Sequence, residues 1–412
     1  MATLVAAILG AGQAGFQVAA SLRQEGFAGR IVLIGDEPVL PYQRPPLSKA
    51  YLTGQTGVDD LWLRPAEFYA KQQIDLICGD SVTSIDRPER RLRLASGLAI
   101  PWDHLVLATG ARCRPLPVPG AELDGVMMLR TLADADILRQ RLNAAREVVV
   151  IGAGFIGLEF ASVAIARGAD VHIVEVTHRP MGRVVSEPIS RFFTEAHIRW
   201  GAKMSLGTGV TRIIGDHDRV TAVETTDGRL LPADLVLVCI GVIPNTELAH
   251  QTGLAVDNGI VVDEYLAVGD PAIFAIGDCA SFPTPFASGR VRLESVQNAV
   301  DQARCVAAGL AGRREAYDKV PWFWSDQGDL KLQIAGITTG HAQAITRGDA
   351  DSRQFSVFCF NGSRLIGVES VNRPADHAMA RRLLAGDPRL SPEQAADESY
   401  DLRAHTRSLT GR

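Results

Sequence analysis

The sequence predicts an α/β protein in which one doubly wound domain is inserted into another and a smaller α+β domain follows both. Three observations predict it. The fingerprint Gly10-Ala-Gly12-Gln-Ala-Gly15 stands directly after the apolar run Leu4–Leu9, and Gly152-Ala-Gly154-Phe-Ile-Gly157 stands directly after Val148–Ile151. Each is followed later by an apolar strand ending in glycine, Leu105–Ala108 before Thr109-Gly110 and Leu235–Cys239 before Ile240-Gly241, so the second half repeats the first. Beyond about residue 320 the apolar residues alternate or cluster like antiparallel strands.

The elements follow in order. Strand Leu4–Leu9 runs into the first glycine turn. There the first glycine permits the tight turn, the second lets the backbone approach a pyrophosphate, and the third lets helix and strand pack closely. A helix over about Ala14–Glu25 and a strand Arg30–Ile34 complete a Rossmann-type βαβ unit. A loop carries Pro41-Tyr-Gln-Arg44-Pro-Pro-Leu-Ser-Lys49. The second βαβ unit spans Val148 to Glu175. Ile273-Phe-Ala-Ile-Gly277-Asp278 reads as a strand entering a turn, and a helix follows Glu294-Ser-Val-Gln-Asn298. Strands Leu330–Ile334, Phe355–Phe360 and Leu365–Val371 and a helix Ala375–Leu384 form the last domain. The final fifteen or so residues read as loosely held. The expected boundaries are 1–111 and 237–319 for the two segments of the outer domain, 112–236 for the inserted domain and 320–412 for the α+β domain.

The 412 residues are 46% hydrophobic and 22% charged, ordinary for a globular protein with large cores, and the net charge of −5 argues against nucleic acid or an anionic membrane as the main partner. The apolar runs are strand-sized, which excludes a transmembrane span. The apolar N-terminus lacks basic residues and leads into the glycine turn, so it reads as a first strand of a cytoplasmic protein rather than a leader. Six cysteines are scattered without a C-x-x-C pair, so neither a redox disulfide nor a metal site is expected.

Two fingerprints imply two dinucleotides. Gly10, Gly12 and Gly15 serve one, and Gly152, Gly154 and Gly157 the other; both turns open helices whose free N–H groups favour phosphate. In the second unit Glu175 ends Val171-His-Ile-Val-Glu175, where a carboxylate accepts from ribose hydroxyls and repels a 2′-phosphate, favouring NADH; Arg179 and Arg183 close behind weaken that preference. In the first unit the acidic candidates are Asp36 and Glu37. That fingerprint suits FAD or NAD, and Gly277-Asp278, with Thr109-Gly110, tips it to FAD. Ser295 is placed to cap the helix beginning at Val296.

Arg44-Pro-Pro-Leu-Ser-Lys49, Gly157-Leu-Glu159-Phe-Ala, Ala275-Ile-Gly-Asp278, Glu294-Ser-Val-Gln-Asn298 and Pro321-Trp-Phe-Trp324-Ser-Asp-Gln327 occur together in this order. The combination resembles the FAD-dependent, NADH-utilising ferredoxin reductases of bacterial oxygenase systems, a family that includes rubredoxin reductases and is related to apoptosis-inducing factor. The resemblance implies a glutathione-reductase-like arrangement of FAD and NAD domains. It implies that Ala14, Asp36, Lys49, Val82, Arg130, Asp278 and Val296 touch FAD, with Arg44 beside it. Gly154, Ile156, Glu159, Glu175 and Gly241 are implied on the NAD side.

The same resemblance implies that Lys49 pairs with Glu159 beside the flavin, and that Trp324 lies near the flavin on the ferredoxin side. On pattern alone Trp-Phe-Trp reads as core packing; with Trp324 on the ferredoxin side, Asp326 and Gln327 read as rim contacts or a turn. The implied reaction takes hydride from NADH and passes single electrons to a [2Fe-2S] ferredoxin feeding a P450 or dioxygenase. Disulfide reductases of this architecture need a cysteine pair near the first helix, and Phe16 to Gly35 holds none. Alternatives are a rubredoxin reductase and an NADH-sensing flavoprotein. Arg64, Arg313, Arg314, Lys319 and Lys331 are candidates for a basic docking patch.

Overall fold

A computed structural model of the protein describes residues 4–410. The chain forms two compact units, one of Met1–Gln43, Val58–Arg112 and Ile243–Lys319, the other of Arg44–Gly57, Cys113–Val242 and Val320–Arg412.

The first unit is built on a parallel sheet in the order Ile273–Ala275, His104–Leu107, Val5–Leu9, Arg30–Gly35, Ile74–Cys78. Its strands are apolar runs rather than alternations because both faces are covered. The helices Gln13–Gln24 and Val296–Leu310 pack on each other, and Ala6, Ile8, Leu22, Leu33, Leu105 and Phe282 lie in one core.

The second unit repeats this plan. Its parallel sheet runs Lys203–Leu206, Asp170–Glu175, Glu147–Ile151, Leu235–Val238, Val126–Met127. Leu235–Val238 is an interior strand of this sheet, and the compact unit continues to Val242. The duplication extends to single hydrogen bonds. Gly10 N–H donates to Ile34 O (2.8 Å) and Ala108 N–H to Leu9 O (2.7 Å), while Gly152 N–H donates to Val174 O (2.8 Å) and Cys239 N–H to Ile151 O (2.7 Å).

The second unit also contains an antiparallel sheet in the order Trp322–Gln327, Leu330–Gly336, Arg364–Val371, Gln354–Asn361, Gln343–Asp349. Helix Pro374–Leu384 packs on it, its Leu383 sharing a core with Phe358, Phe360 and Val368 of the strands. The C-terminal segment is not loosely held as the sequence suggests. Buried Arg347 donates to the carbonyls of Ala395 (3.2 Å), Glu398 (3.1 Å) and Tyr400 (3.0 Å), and also bonds Asp397 O. Helix Leu402–Thr410 then buries Leu402 and Thr406. Residues 411 and 412 of that stretch lie outside the described residues. Among the described residues no helix is long and apolar enough to cross a membrane.

Candidate active site

The two glycine turns have the same steric logic. A Cβ on Gly10 would stand 2.1 Å from Ala108 O, and one on Gly15 would stand 1.8 Å from Gly10 O. On Gly152 and Gly157 the corresponding distances are 2.4 Å to Cys239 O and 2.2 Å to Gly152 O. Gly10 and Gly152 also have φ of +102° and +103°, where side chains are strained. At the middle glycines, Gly12 and Gly154, a Cβ would meet nothing within 4 Å. Each middle glycine is the N-cap of a twelve-residue helix and supplies no side-chain cap. An open cradle over uncapped N–H groups fits the pyrophosphate of a dinucleotide at both places.

In the first unit, Asp36 is exposed at the end of its strand, and Glu37 accepts from Tyr42 Oη (2.7 Å), so of the two acidic candidates Glu37 is engaged within the protein. Ala14 is buried beneath the turn, its Cβ facing Gly277. Thr109 and Gly110 are stapled to Asn245, whose Nδ2 donates to Thr109 O (2.8 Å) and whose N–H donates to Gly110 O (2.9 Å). Gly277 takes φ +75°, and its N–H donates to Gln302 Oε1 (2.7 Å). This fixes the turn that presents half-buried Asp278. Gln302 Nε2 is buried without a partner in the protein, as a donor awaiting a bound group would be. Ser295 Oγ caps the helix at Asn298 N–H (3.0 Å), placing Val296 at its first position. Val82 begins the strand Val82–Asp86 and packs against the core. Asn245 and Gln302 escape sequence reasoning because their partners are distant backbone atoms.

In the second unit the Glu175 carboxylate accepts from Ala153 N–H (2.7 Å), Thr177 N–H (2.8 Å) and Thr177 Oγ1 (2.7 Å), tying the acidic strand end to the glycine turn. Arg179 turns inward: its guanidinium donates to the carbonyls of Val185 and Gly182, both at 2.8 Å. Arg183 is exposed, with its guanidinium 3.6 Å from where a Gly241 Cβ would be. Of the two arginines near Glu175, Arg183 therefore keeps its charge outward. Ile156, in the first turn of the glycine-turn helix, is 45% exposed, unusual for so apolar a residue. Arg44 Nη1 donates to Arg130 O (2.6 Å), and Arg130 N–H donates to Asp134 Oδ2 (3.0 Å).

Lys49 and Glu159 meet in the same unit. Pro45–Ser48 forms a single tight turn, opened by the two prolines, and Lys49 follows it. Lys49 Nζ lies 2.8 Å from Glu159 Oε2 and donates to Pro45 O (3.2 Å). Glu159 is on helix Phe155–Ala166 and only 3% exposed. Two further donors reach it: Ser48 Oγ to Oε2 (2.6 Å) and Ser325 Oγ to Oε1 (2.7 Å). A buried carboxylate is tolerated only with such partners. Behind Ser325, Gln327 Nε2 donates to Ser325 Oγ (3.2 Å), and Gln327 Oε1 bonds His197 Nε2 at 2.9 Å. Gln327 is wholly buried, not at a rim or turn as the sequence suggests. Burial lowers the His197 pKa to about 4 and keeps the imidazole neutral.

The strand Trp322–Gln327 sends alternate side chains to opposite faces. Phe323 packs on Phe155 with ring centres 4.5 Å apart, and Ser325 and Gln327 follow on that face. Trp322 and Trp324, with centres 5.6 Å apart, occupy the other face half-buried, and the Arg381 guanidinium stands 4.7 Å from the Trp322 ring.

All six cysteines are free, and burial pushes every thiol up, Cys305 to about 11. Such thiols are poor nucleophiles at neutral pH. Most of the expected basic patch is neutralised: Arg313 pairs with Glu25, Arg314 with Asp263, Lys319 with Asp318 and Lys331 with Asp326.

The chain matches the pyridine nucleotide-disulphide oxidoreductase family over residues 5–303 and the reductase C-terminal family over residues 322–406. It is 54% identical to rhodocoxin reductase of Rhodococcus erythropolis over 396 residues, covering 96% of this chain and 93% of that one. Among solved structures it resembles the ferredoxin reductase of the CYP199A2 system of Rhodopseudomonas palustris, with a TM-score of 0.96 and 54% identity over 98% of this chain and 99% of that one. It likewise resembles putidaredoxin reductase as seen in its covalent complex with putidaredoxin, with a TM-score of 0.96 and 41% identity over 100% of both chains.

Proposed function

The chain belongs to the pyridine nucleotide-disulphide oxidoreductase family, with a reductase C-terminal domain, and on that premise we propose that it is an NADH-dependent, FAD-containing ferredoxin reductase delivering electrons singly to a [2Fe-2S] ferredoxin. The ferredoxin in turn serves a P450 or Rieske-type oxygenase. The observation that carries the reading is the 2.8 Å pairing of Lys49 with Glu159, which lies on the helix that opens from the second glycine turn. FAD, when bound, supplies the conversion of a two-electron donor into a one-electron donor.

The protein's own residues bind and orient. Gly10, Gly12, Ala14, Gly15, Asp36, Val82, Thr109, Gly110, Gly277, Asp278 and Val296 are assigned to FAD, as are Arg44, Lys49 and Arg130. Gly152, Gly154, Ile156, Gly157, Glu159, Glu175 and Gly241 take NADH. Lys49 supplies a fixed cation at the hydride-transfer end, and Glu159 holds its ammonium in one position. Trp324 stands on the ferredoxin side. No thiol takes part, in keeping with the raised thiol pKa values. The proposed location is the cytoplasm, where NADH is available.

The test is a visible spectrum of the purified protein, then anaerobic NADH, then a [2Fe-2S] ferredoxin with cytochrome c as final acceptor. Flavin absorbance that bleaches with NADH, and cytochrome reduction that requires the ferredoxin, are the expected results. A persistent charge-transfer band with no ferredoxin-dependent turnover would favour the sensor reading instead. Turnover with rubredoxin alone would move the partner.

A further inference from the structure

We infer that Ser325, on the first strand of the C-terminal domain, and Ser48, next to Lys49, are positioning residues that set the Glu159 carboxylate for its pairing with Lys49. The inference rests on the reading of Lys49 and Glu159 given above. Each serine takes a different oxygen, Ser48 on Oε2 at 2.6 Å and Ser325 on Oε1 at 2.7 Å. A carboxylate gripped at both oxygens cannot rotate, so Oε2 stays 2.8 Å from Lys49 Nζ. Both serines are themselves buried, at 2% and 0% exposure, so water does not compete for either bond.

The donors behind Ser325 run in one direction. His197 Nε2–H donates to Gln327 Oε1, Gln327 Nε2–H to Ser325 Oγ, and the Ser325 hydroxyl is left with Glu159 Oε1 as its acceptor. Gln327 Nε2 donates to Ser325 Oγ, which leaves Oε1 to face His197, and the neutral imidazole serves that acceptor only with its proton on Nε2. Gln327 Nε2 is also held against Met181 Sδ (3.7 Å), so the amide cannot swing away. The serine hydroxyl thereby points at the carboxylate by default rather than by chance of rotation. The C-terminal domain, besides displaying Trp324, reaches inward to fix half of the ion pair.

The experiment uses the flavin-loaded protein and follows anaerobic flavin reduction by NADH in a stopped-flow instrument. Ser325→Ala is expected to lower the limiting rate about tenfold, the scale of a small misplacement at a reacting centre. The apparent Kd for NADH stays within about twofold of the parent, since uniform binding is untouched. Ser325→Thr, which keeps the hydroxyl, restores the rate. In a Glu159→Gln background Ser325→Ala adds nothing, because two changes on one path are not additive. A fast Ser325→Ala alongside a slow Glu159→Gln overturns the inference alone. A fast Glu159→Gln overturns the site reading itself. If Ser325→Ala does not accumulate with flavin, Ser48→Ala reads the other oxygen by the same criteria.

Discussion

Lys49 Nζ stands 2.8 Å from Glu159 Oε2, and the two differ sharply in exposure: the Lys49 side chain is 19% exposed and that of Glu159 only 3%. The carboxylate is buried and triply bonded, while the ammonium keeps one side open. This is the arrangement of a cation held for something outside the protein. Lys49→Met should therefore slow flavin reduction by about 10², the scale of one lost electrostatic contact at a reacting centre. NADH binding should change far less. Anaerobic stopped-flow separates the two, and a normal hydride-transfer rate would remove Lys49 from the site.

The acidic strand end governs the choice between NADH and NADPH. Glu175 faces the turn through Ala153 N–H, Arg179 is spent on backbone carbonyls, and Arg183 keeps an exposed guanidinium. Glu175→Ala removes the repulsion of a 2′-phosphate and leaves Arg183 to attract it. The ratio of kcat/KM for NADPH over NADH should rise at least about tenfold, equivalent to about 1.4 kcal/mol. Adding Arg183→Ala should return the ratio toward the parent. Unchanged kcat/KM for both nucleotides in the single variant would sink the Glu175 assignment.

The glycine turns allow a contrast within one motif. At Gly154 the backbone is extended (φ −78°, ψ −178°) and a Cβ meets nothing within 4 Å, so Gly154→Ala should fold at least as well as the parent. A gain of about 0.4–1 kcal/mol comes from the stiffer unfolded chain. Its KM for NADH should rise, because the added methyl fills the cradle. At Gly157 a Cβ would stand 2.2 Å from Gly152 O, and Gly157→Ala should lose about 1–3 kcal/mol by overpacking. Thermal unfolding and NADH titration of the two variants check both halves; equal behaviour would refute the separate roles.

The parts legible in the sequence are those set by local sterics. The glycine turns and the strand ends that face them repeat a short motif that has one backbone solution. The glutamine and serines around Glu159 carry no such signal. Ser325 lies 166 positions from Glu159, and its role depends on which face of the strand meets the helix, a matter of tertiary packing. Gln327 looks like a turn residue until His197, 130 positions away, is seen to claim it. The order of the segment leading into the C-terminal helix is hidden for a related reason: Arg347 gathers the backbone carbonyls of Glu398 and Tyr400, and carbonyls leave no trace in composition.

His377 offers a pH test of the C-terminal domain. Both ring nitrogens are buried without a partner in the protein, and the ring stands edge-on to Trp322 with centres 5.6 Å apart. Burial, helped by the neighbouring Arg381 charge, lowers its pKa to about 4 from the ordinary 6.5. Between those values the unfolded chain binds a proton that the folded chain refuses. Stability from this residue is thus fully present above pH 6.5 and is lost as the pH falls toward 4, at up to about 1.4 kcal/mol per pH unit. His377→Phe keeps the ring contact and has no proton to take. The variant should match or exceed the parent at pH 8, and its advantage should widen on acidification to pH 5. Chemical denaturation of both proteins at the two pH values measures that gap. A gap that stays constant would mean His377 is not held neutral, and its burial would then need another explanation.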